Sequence, residues 1–493
     1  MATPTPTLEE LQQLAADGRY DIAPVRLDAL GDFTTPVEAM RRLKAVSAHC
    51  FLLESAAAPG QCGRYSFLGY DPTLLVTCRD GRMRVGEREF ETRDPVAAIR
   101  EVLATRRSPS LEGFPPFTGG LVGYFAYDFY QYAEPTLRFR APPGPEGFND
   151  LDLMLFDKVI AFDHYRQTVS LIANVRLDAP DLPAAYARAQ SDLRAMLDLL
   201  RSGRPAGGLS GRATSLFRRE FARDEYATVV EAAKRHIREG DIFQAVPSNR
   251  QEADFEGSLF GAYRLLRTLN PSPYMFYFSG TDIEAAGASP ETLVKLERGT
   301  LRTYPIAGSR PRGATPEEDA ALERSLRADP KECAEHEMLV DLGRNDLGKV
   351  CRFGTVEVER HMEVLRYSHV MHLGSSVRGE LRTDRDALDA VSAVLPAGTL
   401  SGAPKLRACQ IIDSLEKSRR GLYGGAVGYI DFAGNLDLCI AIRFACKAGG
   451  KVYVRSGGGI VADSRPGPEY EETVNKAVAV VRAIELAAKE ELP

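Results

Sequence analysis

Two hydrophobic periodicities run along this chain. Apolar and polar residues alternate in LLVTCRDGRMRV at 74–85 and in KVYVRSGGGIVAD at 451–463, and each stretch predicts a pair of strands. The spacing changes to that of a helix at 182–200, in EYATVVEAAKRHIREG at 225–240 and in EETVNKAVAVVRAIELAAKEEL at 471–492. Strand patterns follow one another through tight turns such as Ala433-Gly434-Asn435 and Ala448-Gly449-Gly450, which predicts antiparallel sheets and an α+β class. SGRPAGGLSG at 202–211 interrupts the pattern with turn-forming residues. The division it predicts is a tail with a first helix at 1–20, an N-terminal domain at 21–201, a linker at 202–214 and a larger domain at 215–493. The string G-G-x-V-G-Y occurs at Gly119 and again at Gly424. Glycine pairs inside a strand mark a bulge or a close backbone approach, so two similarly bent strands packed face to face are expected, with an ancient duplication as the other explanation.

Composition narrows the function classes. A chain of 493 residues with 44% hydrophobic residues has ample material for more than one core. A net charge of -6 without a Lys/Arg block speaks against a nucleic-acid or anionic-membrane surface. MATPTPTLEELQQL has no basic flank followed by an apolar core, and no apolar run approaches about 18 residues, so a cytoplasmic location is expected. The eight cysteines, at 50, 62, 78, 333, 351, 409, 439 and 446, form no C-x-x-C pair and read as reduced buried thiols. No G-x-G-x-x-G or G-x-x-x-x-G-K-[ST] loop and no H-E-x-x-H appear. Tryptophan is absent, which is compatible with an enzyme made when tryptophan is scarce and equally with compositional drift.

Two predicted helix starts present carboxylates. Asp329 is a plausible N-cap, Pro330 suits the first helical position, and Glu332 completes a capping box. Glu335, His336, Glu337 and Asp341 follow, more acidity than a cap requires. The same E-x-x-E spacing recurs in Glu469 and Glu472, on one face of the last helix. Carboxylates converging from two helices suit Mg²⁺, while acidic first turns also complement the helix dipole; spacing alone leaves both open. Taken singly, Ser289-Pro290-Glu291 reads as a helix cap, His372 as a structural histidine and FLLES at 51–55 as a buried strand ending. Arg443 lies in an alternating strand pattern, where an unpaired arginine is costly to bury and so needs a ligand or a carboxylate.

Taken together, PIAGSRPRG at 305–313, EHEMLVDLGRND at 335–346 and PEYEET at 468–473 resemble the chorismate-utilising enzymes. So do FQAVPS at 243–248, NPSPYMFYF at 270–278, GASPETLVKL at 287–296, SHVMHLGSSVRG at 368–379, GTLSGAPK at 398–405, and CIAIRFA at 439–445 followed by SGGGIV at 456–461. Their occurrence in the family's order makes the resemblance specific. It implies two large, mostly antiparallel sheets packed in a sandwich with helices outside. It implies Glu335 and Glu472 as Mg²⁺ ligands with Glu332 and Glu469 close by, the metal holding the ring carboxylate of chorismate. Glu291 would protonate the departing C4 hydroxyl, and His372 would lie near the enolpyruvyl group. Thr399 and Tyr429 would line the pocket, Arg443 would pair with the enolpyruvyl carboxylate, Gly457, Gly458 and Gly459 would supply backbone N–H groups to a carboxylate, and Ala307, Gly308 and Lys476 would complete the substrate site.

Two positions select a branch. Ala307 stands where relatives making 4-amino-4-deoxychorismate carry a nucleophilic lysine, and Gln244 stands where relatives making isochorismate or salicylate carry a lysine base. A methyl group cannot attack the ring and an amide cannot take a proton near neutrality. The branch that resembles this chain is that of the anthranilate synthase large subunits, which add ammonia at C2. Aminodeoxychorismate and isochorismate or salicylate synthesis are the alternatives, and a non-catalytic tryptophan sensor is the non-enzymatic one. None of the cysteines stands in a G-x-C-x-G elbow with a downstream H-x-E, Cys62 in GQCGRY included. A separate glutaminase subunit, and hence a hetero-oligomer, is therefore implied. The resemblance also implies a tryptophan site for feedback inhibition, formed by Leu53, Glu54, Ser55, Pro273, Tyr274, Met275 and Cys439. Departures from the family pattern are small: Ser309 where threonine is usual and Gly343 where alanine is common.

Overall fold

The computed structural model describes residues 3–55, 63–142, 147–366 and 370–489. Among these, the strands form two large antiparallel sheets of twelve strands each and one small pair. Each large sheet takes one side from the first two hundred residues and the other side from the rest. In the first, Cys50–Glu54 pairs with Tyr274–Ser279, placing Glu54 opposite Met275. In the second, Gly120–Phe125 pairs with Ala426–Asp431. The polar break after the helix Leu182–Ser202 therefore lies between stretches of sequence that share both sheets through hydrogen bonds.

The sheets face each other across an apolar layer that draws Phe51, Phe67 and Phe276 from the first and Leu121, Val427 and Tyr429 from the second. Phe51 meets Phe156 edge-on at 4.8 Å, a geometry that suits the ring quadrupoles. A second apolar layer lies under the helices outside the first sheet, joining Met275 and Val454 to Leu266 and Val480. The helix Pro466–Ala487 packs on the strand Lys451–Gly457, and the helix Pro330–Gly348 packs on the strands Ile306–Pro311 and Val370–Glu380. The two acidic helices thus belong to different sheets.

The repeated G-G-x-V-G-Y segments are hydrogen-bonded neighbours, not strands stacked face to face, with Gly123 directly opposite Gly428. Gly428 has φ 153°, and a Cβ there would lie 2.0 Å from the Asp437 carbonyl oxygen; Gly123 meets the Asp152 carbonyl oxygen at the same distance. Each glycine thus lets a neighbouring strand's backbone come too close for any side chain. Gly428→Ala is expected to destabilise the fold by about 3 kcal/mol, seen as a lower thermal unfolding midpoint; an unchanged midpoint would contradict the close approach.

KVYVRSGGGIVAD is one strand and not two. Lys451–Gly457 is extended, and the glycines then carry the chain to an isolated bridge between Ile460 and Ala245. A Cβ on Gly459 would lie 2.0 Å from Gln244 Nε2, so the backbone crosses against the Gln244 amide.

Candidate active site

Glu291 leaves the end of the strand Glu284–Ser289 through Pro290. Its backbone is held by Ile440, whose N–H donates to the Glu291 carbonyl at 3.0 Å, and by Ser289 Oγ, which accepts from the Glu291 N–H at 3.3 Å. No helix begins there, so the local Ser-Pro-Glu fold is a strand-end turn that aims a carboxyl inward. Thr399, on the short 3-10 turn Gly398–Leu400, donates its hydroxyl to Glu291 Oε1 at 3.1 Å. Desolvation pushes Glu291 up to about 7, and the Thr399 hydrogen bond opposes it.

Glu291 faces a cavity of about 520 Å³ that also takes in Gln244, Ala307, Gly308, His372 and Arg443. Gly308 has φ 69° and sits at a register shift between strands Ile306–Pro311 and Val370–Glu380. That bulge turns its carbonyl toward His372, whose Nδ1 lies 2.9 Å away. Burial lowers the imidazole pKa, so near neutrality the ring is uncharged, protonated on Nδ1, and presents Nε2 as an acceptor. Ala307 brings only a methyl group to this wall.

The cations differ in their commitments. Lys476 Nζ is held by Glu472 at 2.7 Å and by the Gly457 carbonyl at 2.9 Å. The Arg443 side chain has no hydrogen-bond or ion-pair partner among the described residues, and burial lowers its pKa. Arg443 is not in a strand as the alternation suggested; it lies between Leu436–Ile440 and Phe444–Ala448 with φ 53°. A non-glycine residue in that region stores strain, and here the kink turns a partly buried guanidinium into the cavity. Gln244 is 3% exposed, and its Oε1 has no partner among the described residues. Among the described residues the N–H groups of Gly458 and Gly459 also have no acceptor. Gly457 and Gly459 line the cavity, while Gly458 lies beside it, a Cβ there standing 3.0 Å from Glu472 Oε1.

Glu332 and Glu335 reach the cavity from the helix Pro330–Gly348, and Glu469 and Glu472 from the helix Pro466–Ala487. Asp329 caps the first helix by accepting from the N–H groups of Lys331 and Glu332. The capping box does not form, because Glu332 turns to Arg310 at 3.3 Å. Burial, then the like charges of Glu332 and Glu472, raises the pKa of Glu335; burial and Glu472 raise that of Glu469. An acidic wall with excess negative charge and only oxygen donors fits a hard divalent cation. No three of these glutamates gather within 4.8 Å; among the described residues that spacing is met by His236, Glu239 and Asp241, a different place where Arg407 holds Asp241 at 2.8 Å.

Tyr429 is not in the cavity. It is packed between the sheets on Phe117, with ring centroids 4.4 Å apart. Tyr423, six residues earlier in GLYGGAVGY, lines the cavity instead. The motif carries both tyrosines, and only the pleat of Ala426–Asp431 decides that Tyr429 points between the sheets. Sequence reasoning also missed Arg455 and Val246 in the cavity wall.

The set expected to bind tryptophan is divided between the two sides of the first sheet, with Cys439 on the second sheet that faces it. Glu54 and Met275 face the helices, where Glu54 is buried and meets Tyr263 Oη at 2.5 Å and Arg267 Nε at 2.8 Å. Leu53, Tyr274 and Cys439 lie in the layer between the sheets, and Tyr274 donates to Asp437 at 2.8 Å. Pro273 lies at the strand's start, and Ser55 Oγ is buried with no partner among the described residues. Cys62 and Ser368 lie outside the described residues.

Comparison with known proteins identifies the family. The family described as chorismate binding enzyme matches residues 48–482. Anthranilate synthase component 1 from Pseudomonas aeruginosa is 44% identical over 97% of this chain and 98% of its own length. Component I of anthranilate synthase from Streptococcus pneumoniae superposes with a TM-score of 0.77 at 35% identity, covering 92% of this chain and 99% of its own. The menaquinone-specific isochorismate synthase from Escherichia coli shares the fold, with a TM-score of 0.70 at 19% identity over 98% of this chain and 99% of its own. The site's cation, buried acid and acidic wall, together with matches over nearly the whole chain, establish that this protein belongs to the chorismate binding enzyme family.

Proposed function

We propose that this protein converts chorismate and ammonia to anthranilate and pyruvate, as the large subunit of an anthranilate synthase. The observation that carries the reading is one cavity holding a partly buried carboxyl that is half-protonated near neutrality, a guanidinium and an amide oxygen that have no partner among the described residues, and a methyl group at Ala307. Arg443 would take the enolpyruvyl carboxylate, supplying the anion its buried charge lacks. Glu291, protonated, gives its proton to the C4 hydroxyl, which leaves as water while ammonia adds at C2 and the ring double bond shifts. The proton shed by the added nitrogen restores Glu291. Loss of the C2 proton and of pyruvate, beside His372, leaves the aromatic ring. Gln244 Oε1 would accept a hydrogen bond from the ammonia but take no proton, which suits a nucleophile that needs no base.

Glu335 and Glu472, with Glu332 and Glu469 beside them, would hold Mg²⁺, which supplies positive charge to the ring carboxylate when bound. A separate glutaminase subunit would supply the ammonia, and tryptophan would inhibit where Cys50–Glu54 pairs with Tyr274–Ser279. Among the described residues no helix is long and apolar enough to cross a membrane. The seven described cysteines are all free, which suits a reducing cytoplasm.

The test is anthranilate fluorescence from the purified chain with chorismate, Mg²⁺ and an ammonium salt; the chain's lack of tryptophan keeps the background low. Anthranilate should form, chelation by EDTA should reduce it at least about 100-fold, and re-added Mg²⁺ should restore it. Isochorismate, salicylate or 4-amino-4-deoxychorismate as product would overturn the reading. The acid is active in its protonated form. At fixed free ammonia, kcat should therefore be level below the Glu291 pKa of about 7 and fall about tenfold per unit above it; a rate rising through that range would exclude Glu291 as the donor.

A further inference from the structure

Behind the cavity, Arg420 and Glu416 form an ion pair whose side chains are both 2% exposed. Arg420 Nε lies 3.0 Å from Glu416 Oε2 and Nη2 lies 2.6 Å from Oε1. Two more of its donors go to backbone carbonyls, Nη1 to Leu400 at 2.6 Å and Nη2 to Val246 at 2.5 Å. Leu400 follows Thr399, the partner of Glu291, and Val246 lies two residues beyond Gln244; both carbonyl-bearing residues line the cavity. The guanidinium also lies 5.6 Å from the ring centroid of Tyr423 in the same wall. Glu416 in turn accepts from the Ser248 N–H and Oγ, both at 2.8 Å, and from Arg455 Nη1 at 3.2 Å. Arg455 stands two residues before Gly457.

Three segments of the wall, around Val246, Leu400 and Arg455, are thus tied to one buried ion pair. Stability does not account for it, because a buried pair replaced by apolar groups is commonly neutral or stabilising. What the pair supplies is direction: a planar guanidinium satisfies two carbonyls and a carboxylate at once, and lysine cannot reproduce that fork. We infer that Glu416 and Arg420 are positioning residues that hold the Thr399 turn and the Gln244 segment in register with each other across the cavity. The inference rests on the proposed function for its kinetic readout and on geometry alone for its spectroscopic one.

Arg420→Lys in the full chain tests it. The expected result is a fall in kcat of about 100-fold with KM for chorismate changed less than about threefold, since Arg443 is untouched. The Glu291 carboxyl, followed by infrared titration of wild type and variant, should titrate higher in the variant, because the Thr399 hydrogen bond that lowers its pKa is loosened. A lower unfolding midpoint with unchanged kcat and unchanged Glu291 titration would overturn the inference and leave a purely structural role. If Arg420→Lys does not fold, Ser248→Ala, which removes one donor from Glu416 and keeps the ion pair, should shift kcat and the titration in the same directions by less; no shift in either would overturn the inference. Should the wild type make no anthranilate, the functional reading fails, while the infrared titration still decides the positioning role.

Discussion

Glu291→Gln should lower kcat about 1000-fold while leaving KM for chorismate within a few-fold of wild type. The amide is nearly isosteric and its oxygen still accepts from Thr399 Oγ1, which lies 3.1 Å from Glu291 Oε1, so the cavity keeps its shape. What is lost is the proton. General acid catalysis is worth about 10²–10⁴-fold, and the departing C4 hydroxyl is a poor leaving group without it. The variant should also lose the titration near the Glu291 pKa of about 7. A fall of less than tenfold, with the limb retained, would assign the acid to another group.

Arg443→Ala should lower kcat/KM for chorismate about 1000-fold, chiefly through KM. Truncating one member of a desolvated charge pair costs about 2–5 kcal/mol, and here the other member is the substrate. The free protein should respond in the opposite sense. Arg443 stands partly buried with φ 53° and burial lowers its pKa, so removing it relieves an uncompensated charge and should raise the unfolding midpoint in the absence of chorismate. Arg443→Lys should recover part of the binding, since it keeps the charge and loses the bidentate fork. Kinetics unchanged within threefold, or a lowered midpoint in the free protein, would contradict the role. These opposite signs separate a ligand-binding arginine from one that is paired within the protein, such as Arg420, whose charge Glu416 already matches.

Much of the site was legible in sequence because its chemistry sits in short contiguous strings. Glu332 and Glu335 fall one turn apart on one helix, Glu469 and Glu472 on another, and helical spacing alone places each pair on a face. Ala307 and Gln244 enter the proposed function by what they lack, a nucleophile and a base, and the absence of a functional group needs no coordinates. The antiparallel α+β class followed from alternation and tight turns. Other features failed where a local pattern was asked a long-range question. The alternation around Arg443 resembled a strand, but the structure puts a kink there, and Glu332 matched a capping box while Arg310, from a different strand, took its carboxylate.

Alternation says that Leu53 and Glu54 point to opposite sides; it does not say that Glu54 meets a helix's Tyr263 and Arg267 while Leu53 enters the layer between the sheets. Tyr423 and Tyr429 are equal candidates in one motif, and only the packing of Tyr429 on Phe117 removes it from the cavity. The polar break near residue 202 marks where the chain leaves one half, yet both sheets continue across it, because strand pairing is satisfied by backbone groups that carry no signature of their partner. By itself, then, the sequence determined which chemical groups this protein owns and the local element that bears each one. Tertiary structure alone decided which of them share a cavity, which are neutralised by partners far along the chain, and that Arg443 has no partner among the described residues, since those outcomes depend on distances between segments that periodicity and spacing do not encode.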